Sequence, residues 1–163
     1  MPGGVGTDDM VNDEEMLAFV RRQAEQAKYV TSVCTGSLVL GAAGLLKGYR
    51  ATTHWSAMDH LGAFGATPTK TRVCVDRNRI TGGGVTAGID FALTLVSILI
   101  DRRTAEAIQL RLEYNPAPPF SAGSPDTAPS EVRALLEDRM APFRLRRAEA
   151  ITRAAARLGH GLA

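Results

Sequence analysis

The residues best suited to do chemistry are gathered in Val33-Cys34-Thr35-Gly36-Ser37, where a β-branched apolar run meets a helical pattern. A cysteine on a tight strand-to-helix turn carries its sulfur at the helix N-terminus, where the dipole and free N–H groups favour the nucleophilic thiolate. Gly36 supplies the small residue that such an elbow needs, as in the Gly-x-Ser-x-Gly turn of hydrolases, and the N–H after the nucleophile can hold developing negative charge. The bland alternative is a buried cysteine acting as a small hydrophobe. A place at the C-terminal end of a parallel strand, where α/β folds put their ligands, favours the nucleophile. Cys74 falls mid-strand and reads as structural. His54 closes the next strand pattern and would emerge at the same sheet edge as Cys34, as a base or an orienting group; it reads equally as a cap for the helix that follows, with Trp55 as a pocket wall. His60 falls on a helix and His160 near the C-terminus, neither among other ligand types, so no metal site is expected.

The elements that must position Cys34 follow from periodicity. Asn12 or Asp13 can cap a helix that opens on Glu14 and Glu15 and repeats Met16, Leu17, Phe19, Val20, Ala24 and Ala27 at helical spacing. Residues 29–33 lack polar alternation, as in a strand buried on both faces of a parallel sheet. A helix over 37–46 closed by Gly48, a short strand over 50–53, a helix over 55–64 and a hairpin or bent pair of strands over 72–75 and 79–81 come next. Gly82-Gly83-Gly84 can neither hold a strand nor start a helix, so it predicts a close backbone approach before a helix over 87–100. A helix over 104–114, an irregular Pro-rich loop over 115–129 and helices from 130, broken at Pro142, complete the chain. Strands alternating with helices imply an α/β fold, a parallel sheet sandwiched by helices. Only about four strand candidates exist and the first element after the Gly-rich start is a helix. The sheet is therefore expected to lack its N-terminal strands and to leave exposed apolar patches or an unpaired edge.

Composition bounds the rest. A chain of 163 residues with 45% hydrophobic and 22% charged residues has room for one globular domain. A net charge of +2 is too weak for a nucleic-acid groove. The Arg-rich stretch over 133–163 reads as one solvated side of a helix. The apolar run 91–100 is half the length needed to span a bilayer, and the start has no export-signal pattern, so a cytoplasmic location is expected. Cys34 and Cys74, forty residues apart, match neither a CxxC ligand pair nor a disulfide framework.

The segments 29–37 with Gly44-Leu45-Leu46, Arg50-Ala51-Thr52-Thr53-His54-Trp55, and Thr81-Gly82-Gly83-Gly84-Val85-Thr86-Ala87-Gly88-Ile89-Asp90 resemble the ThiJ/PfpI superfamily, whose fold is flavodoxin-like and class I glutamine-amidotransferase-like. The run 109–120 with 122–129 is narrower and is similar to isocyanide hydratases. The resemblance covers nearly the whole chain, residues 1–163 as one partial domain with 130–163 as a C-terminal helical extension. It implies hydration of an isocyanide to an N-substituted formamide through a thioimidate, with no cofactor, in a homodimer without nucleic-acid or membrane partners. Carried over by position, it implies Cys34 as the nucleophile, Thr35 lending its hydroxyl or N–H beside the sulfur, Gly3 and Gly4 lining the anion-stabilising side, and His54 near the pocket. The Pro-rich loop is implied at the pocket or its rim.

The family's acid, an Asp or Glu ahead of the Pro-Gly-Gly turn, has no counterpart here, because Met1-Pro2-Gly3-Gly4 matches that turn itself. Asp8 and Asp9 follow it. The chain is therefore expected to be N-terminally truncated and weakly active or inactive alone, since one general acid is worth about 10²–10⁴ in rate. A second expectation, from the motifs shared with sensor domains of AraC-type regulators, is a non-catalytic ligand- or redox-sensing module. Ser130 to Leu158 offers one amphipathic helical pattern rather than a second DNA-reading unit.

Overall fold

Asp13 starts the first long helix by accepting the Met16 N–H at 3.0 Å, and Glu14 and Glu15 in the first turn suit the positive end of the helix dipole. This helix, α2 (Glu14–Gln26), follows a single turn, α1 (Thr7–Met10), that the sequence pattern did not signal. The structure, a computed structural model, describes residues 1–159; His160 and the remainder of the 130–163 extension lie outside the described residues.

Strand β1 (Val30–Val33) leads to the wholly buried helix α3 (Gly36–Ala42). Helix α3 stops short of the 37–46 pattern because Gly44, at φ +79°, turns the chain left-handed and the Leu45 N–H reaches back to the Leu40 carbonyl at 3.0 Å. Residues Trp55–Phe64 form a 3₁₀ helix rather than an α-helix. Ser56, Asp59, His60 and Gly62 are weak α-helix formers, and Gly65 ends the segment in the left-handed region. It packs closely on α3, where a side chain at Gly41 would collide with the Phe64 ring. Leu17, Leu38, Leu40, Leu46, Leu61 and Phe64 are the large, fully buried members of this core.

Strands β4 (Val73–Asp76) and β5 (Arg79–Gly82) form the hairpin expected over 72–81, and β5 pairs in parallel with β1, placing Val33 opposite Gly82. The sheet order is β1-β5-β4. On the free edge of β1 the Met1 amine donates to the Thr31 carbonyl at 2.7 Å and the Met1 carbonyl accepts the Val33 N–H at 3.1 Å, so Met1 stands in strand register there.

The 50–53 strand departs from expectation. Only Arg50–Ala51 is extended (β2), and it pairs in parallel with β3 (Thr67–Pro68) in a separate ribbon. Side chains take the place of a ladder to the main sheet: the Arg50 N–H goes to the Asp76 carboxylate at 2.7 Å and the Thr52 N–H to Thr81 Oγ1 at 2.8 Å. The α/β character holds, with a sheet that is mixed rather than wholly parallel.

Helix α4 (Ala87–Leu99) covers the other sheet face, and α5 (Arg102–Arg111) packs on α4. Arg72 grips the Asp90 carboxylate of α4, to which the Tyr114 hydroxyl also donates at 3.2 Å. Helix α6 (Ser130–Arg157) runs through Pro142 without the expected break. Proline's fixed φ is compatible with a helix, and its neighbours on this stretch are exposed, so the carbonyl deprived of a partner can turn to water. The second half of α6 docks through a nearly buried ion pair, Arg147 Nε to Asp8 Oδ1 at 2.8 Å, and through Ala150, Ile151, Ala154 and Ala155. No described helix is long and apolar enough to cross a membrane.

Candidate active site

Cys34 occupies the junction of β1 and α3 with φ +57°, a conformation that non-glycine residues rarely adopt. Such strain persists only where the surroundings enforce it. Here the Cys34 N–H donates to the carbonyls of Gly82 (3.0 Å) and Gly83 (2.9 Å), and its own carbonyl accepts the hydroxyls of Thr53 (3.0 Å) and Ser37 (3.2 Å). Four bonds from three separate segments hold one backbone residue. The side chain is partly accessible, whereas Cys74 is buried and its burial pushes that thiol above the usual range.

The Pro-Gly-Gly turn lies against this elbow. A methyl group on Gly3 would stand 2.6 Å from the Thr35 nitrogen and 2.8 Å from Cys34 Cβ, so only glycine fits. The Gly4 N–H donates to Thr35 Oγ1 at 3.1 Å, and Gly4 itself sits at φ +146°. Thr7 Oγ1, from α1, lies 3.1 Å from Thr35 Oγ1 and 2.8 Å from the Gly4 carbonyl. Gly3, Gly4, Cys34 and Thr35 are thus brought together in space. The Thr35 hydroxyl binds the turn, and the Gly4 N–H is spent on it.

Thr7 and Thr53 also belong to this set, and sequence reasoning missed both. A threonine in a one-turn helix and another after a short strand carry no pattern of their own. The triplet Gly82-Gly83-Gly84 did predict a close approach: its carbonyls receive Cys34, and a side chain at Gly84 would press to 2.9 Å from His54 Cδ2.

His54 caps the 3₁₀ helix, with Nδ1 2.8 Å from Ser56 Oγ and accepting the Ser56 N–H at 3.3 Å. Its ring lies 5.6 Å from that of Trp55. Burial first, and then the positive charge of Arg147, hold its pKa below the ordinary histidine value, so the imidazole is neutral at pH 7. His54, Trp55, Gly83 and Gly84 line a cleft of about 630 Å³ whose outer wall includes Gly123, Ser124 and Asp126 of the Pro-rich loop. Thr53, one residue before His54, bridges this cleft to the Cys34 carbonyl. Asp8 and Asp9 are engaged by Arg147 and Arg146 and serve the docking of α6. Among the described residues no group of three or more His, Cys, Asp or Glu side chains is placed to hold a metal ion.

A polar elbow of this kind, an accessible cysteine in a strained strand-to-helix turn closed by a Pro-Gly-Gly turn, can present sulfur to a small electrophile. The family model described as DJ-1/PfpI family matches residues 1–98. The chain is 60% identical to the isonitrile hydratase of Pseudomonas putida over 158 residues, spanning 97% of this chain and 69% of that protein. It is 39% identical over 114 residues to the HTH-type transcriptional regulator GbdR of Pseudomonas aeruginosa, covering 69% of this chain and 31% of the regulator. The crystal structure of a ThiJ/PfpI family protein from Pseudomonas syringae superposes with a TM-score of 0.86 at 54% identity, covering 90% of this chain and 60% of that one. With an elbow built from residues 1–4, 34–37 and 82–84 and these likenesses spanning it, the chain belongs to the DJ-1/PfpI family.

Proposed function

We propose that the protein hydrates isocyanides to N-substituted formamides, with Cys34 as the nucleophile. The observation that carries this reading is Cys34 at φ +57° on an elbow within a sequence 60% identical to an isonitrile hydratase, isonitrile being another name for isocyanide. The Cys34 thiol gives up its proton and sulfur forms a bond to the terminal carbon, whose lone pair takes a proton from water to give the thioimidate Cys34–S–CH=N–R. Water then adds to that carbon, the C–S bond breaks with its electron pair returning to sulfur, the nitrogen takes a proton, and R–NH–CHO leaves. Thr35, Gly3 and Gly4 hold the sulfur's surroundings rigid, and neutral His54 lies on the cleft side with its Nδ1 edge committed to Ser56. The reading includes a homodimer working in the cytoplasm on a small-molecule substrate, without nucleic acid.

Formamide release from cyclohexyl isocyanide, followed by NMR for the wild type and Cys34→Ser, tests it. Product from the wild type and none from the variant is expected; equal rates would end the proposal. A second reading rests on the 39% identity to a transcriptional regulator: an elbow that binds or senses without turnover. Stable modification of Cys34 with no formamide released would favour it.

A further inference from the structure

Arg72 is bonded to the elbow through its backbone and to helix α4 through its side chain. The Cys34 N–H rests on the carbonyls of Gly82 and Gly83, which are held in different ways. Gly82 lies inside the sheet, opposite Val33 on one side and Val73 on the other. Gly83 lies past the end of β5, and its N–H donates to the Arg72 carbonyl at 2.8 Å. The Arg72 guanidinium reaches across to α4. There Nε donates to Asp90 Oδ2 at 2.8 Å, Nη2 donates to the same oxygen, and Nη2 lies 3.5 Å from Thr86 Oγ1. The Tyr114 hydroxyl, 3.2 and 3.3 Å from the two carboxylate oxygens, fixes Asp90 from a third direction.

One residue therefore grips both ends of the segment that leads from β5 into α4: Gly83 through the Arg72 carbonyl, and Asp90 through the Arg72 side chain. Without the Asp90 carboxylate, the first turn of α4 and residues 83–86 are free to shift against the start of β4, and the Gly83 carbonyl shifts with them. The left-handed backbone at Cys34 persists only while its partners hold it. The ion pair is half exposed, 57% at Arg72 and 32% at Asp90, so it adds little to global stability. Two guanidinium nitrogens on one carboxylate nevertheless fix position, and reaction rate is far more sensitive to position than stability is. We infer that Arg72 and Asp90 are positioning residues for Cys34, acting through the Gly83 peptide. The inference rests on the reading of Cys34 as the nucleophile. Asp90 gives the cleaner handle on it, because Arg72 also lines the cleft and Asp90 does not.

Asp90→Ala in the full chain tests it through amide hydrogen exchange, followed by NMR, and through the kinetics of formamide release from cyclohexyl isocyanide. Exchange at the Gly83 and Cys34 N–H groups should quicken about tenfold while the N–H of fully buried Ile80 keeps its rate. The kcat should fall on the order of tenfold or more, with KM held within about twofold. Arg72→Ala and the double variant should lose no more kcat than Asp90→Ala, because the pair acts as one unit. Asp90→Asn, which keeps an oxygen for the guanidinium, should recover most of the loss. Arg102→Ala, which breaks an exposed ion pair on α5, should leave both readouts unchanged. Unchanged exchange at both amides, an unchanged kcat, or exchange that quickens equally at Ile80 would overturn the positioning role. A wild type that releases no formamide ends the hydratase reading instead, and the exchange rates alone then decide whether Arg72 and Asp90 hold the elbow.

Discussion

Thr53 Oγ1 donates to the Cys34 carbonyl across 3.0 Å, tying the residue before His54 to the strained elbow. Thr53 is buried, so removing its hydroxyl leaves that carbonyl with the Ser37 hydroxyl alone. Thr53→Val should cost about 1–2 kcal/mol of stability, the ordinary cost of a lost buried hydrogen bond. Thr53→Ser should restore most of it. Urea denaturation of the three forms measures the difference, and equal midpoints would show that the bond does not stabilise the elbow.

Gly3→Ala should push the Pro-Gly-Gly turn off Cys34 and Thr35, because the new methyl would overlap both. A displacement of about 1 Å at a reacting centre costs on the order of 10²-fold in rate. Gly6→Ala is the control, having open space and no left-handed backbone. The isocyanide consumption rates of both variants decide the matter: loss in both, or in neither, contradicts the account.

Arg147→Ala should be severely destabilising. It strips a nearly buried carboxylate, Asp8, of its counter-ion, and breaking one side of a buried pair costs about 3–5 kcal/mol. Arg146→Ala removes only an exposed partner of Asp9 and should cost less than about 1 kcal/mol. Thermal unfolding of the two variants compares them directly.

Acid should weaken the fold above the range of ordinary carboxylate titration. His54 and His60 both have pKa values lowered by burial, with Arg147 adding to the effect. Below the ordinary histidine value of about 6.5 the unfolded chain binds protons that the folded one resists, so stability falls as pH drops through that region and levels off below the folded-state values. The urea midpoint should therefore decline from pH 7.5 to pH 5.5 in the wild type, and decline less in a His54→Gln, His60→Gln double variant. Matching declines would assign the effect to other groups.

Local patterns in the sequence were enough to identify the elbow. β-Branched residues over 30–33, a cysteine, then Gly36 before a helix is a local pattern whose geometry follows from steric rules, and the 72–81 hairpin and the irregular 115–129 segment are equally local. What stayed hidden depends on partners distant in sequence. The separation of β2 from the main sheet turns on Thr81 and Asp76 accepting backbone N–H groups, which no run of residues announces. Thr7 reaches Thr35 only because α1 forms, and α1 is held in turn by Arg147 from the far end of the chain. Pro142 misleads because the rule that proline breaks helices assumes a buried or otherwise demanding environment, and this stretch of α6 is in water. His54 shows the limit of reading an edge residue: its cap on Ser56 and its place on the cleft are both present.

Direct trapping of the first covalent intermediate puts Cys34 to the sharpest test. The protein is mixed with cyclohexyl isocyanide, quenched rapidly in acid and digested, and the mass of each cysteine peptide is read. The peptide bearing Cys34 should gain the mass of one isocyanide while that of Cys74 stays unchanged, and prior alkylation of Cys34 should abolish the gain. An unmodified Cys34 peptide alongside continuing formamide production would contradict the account.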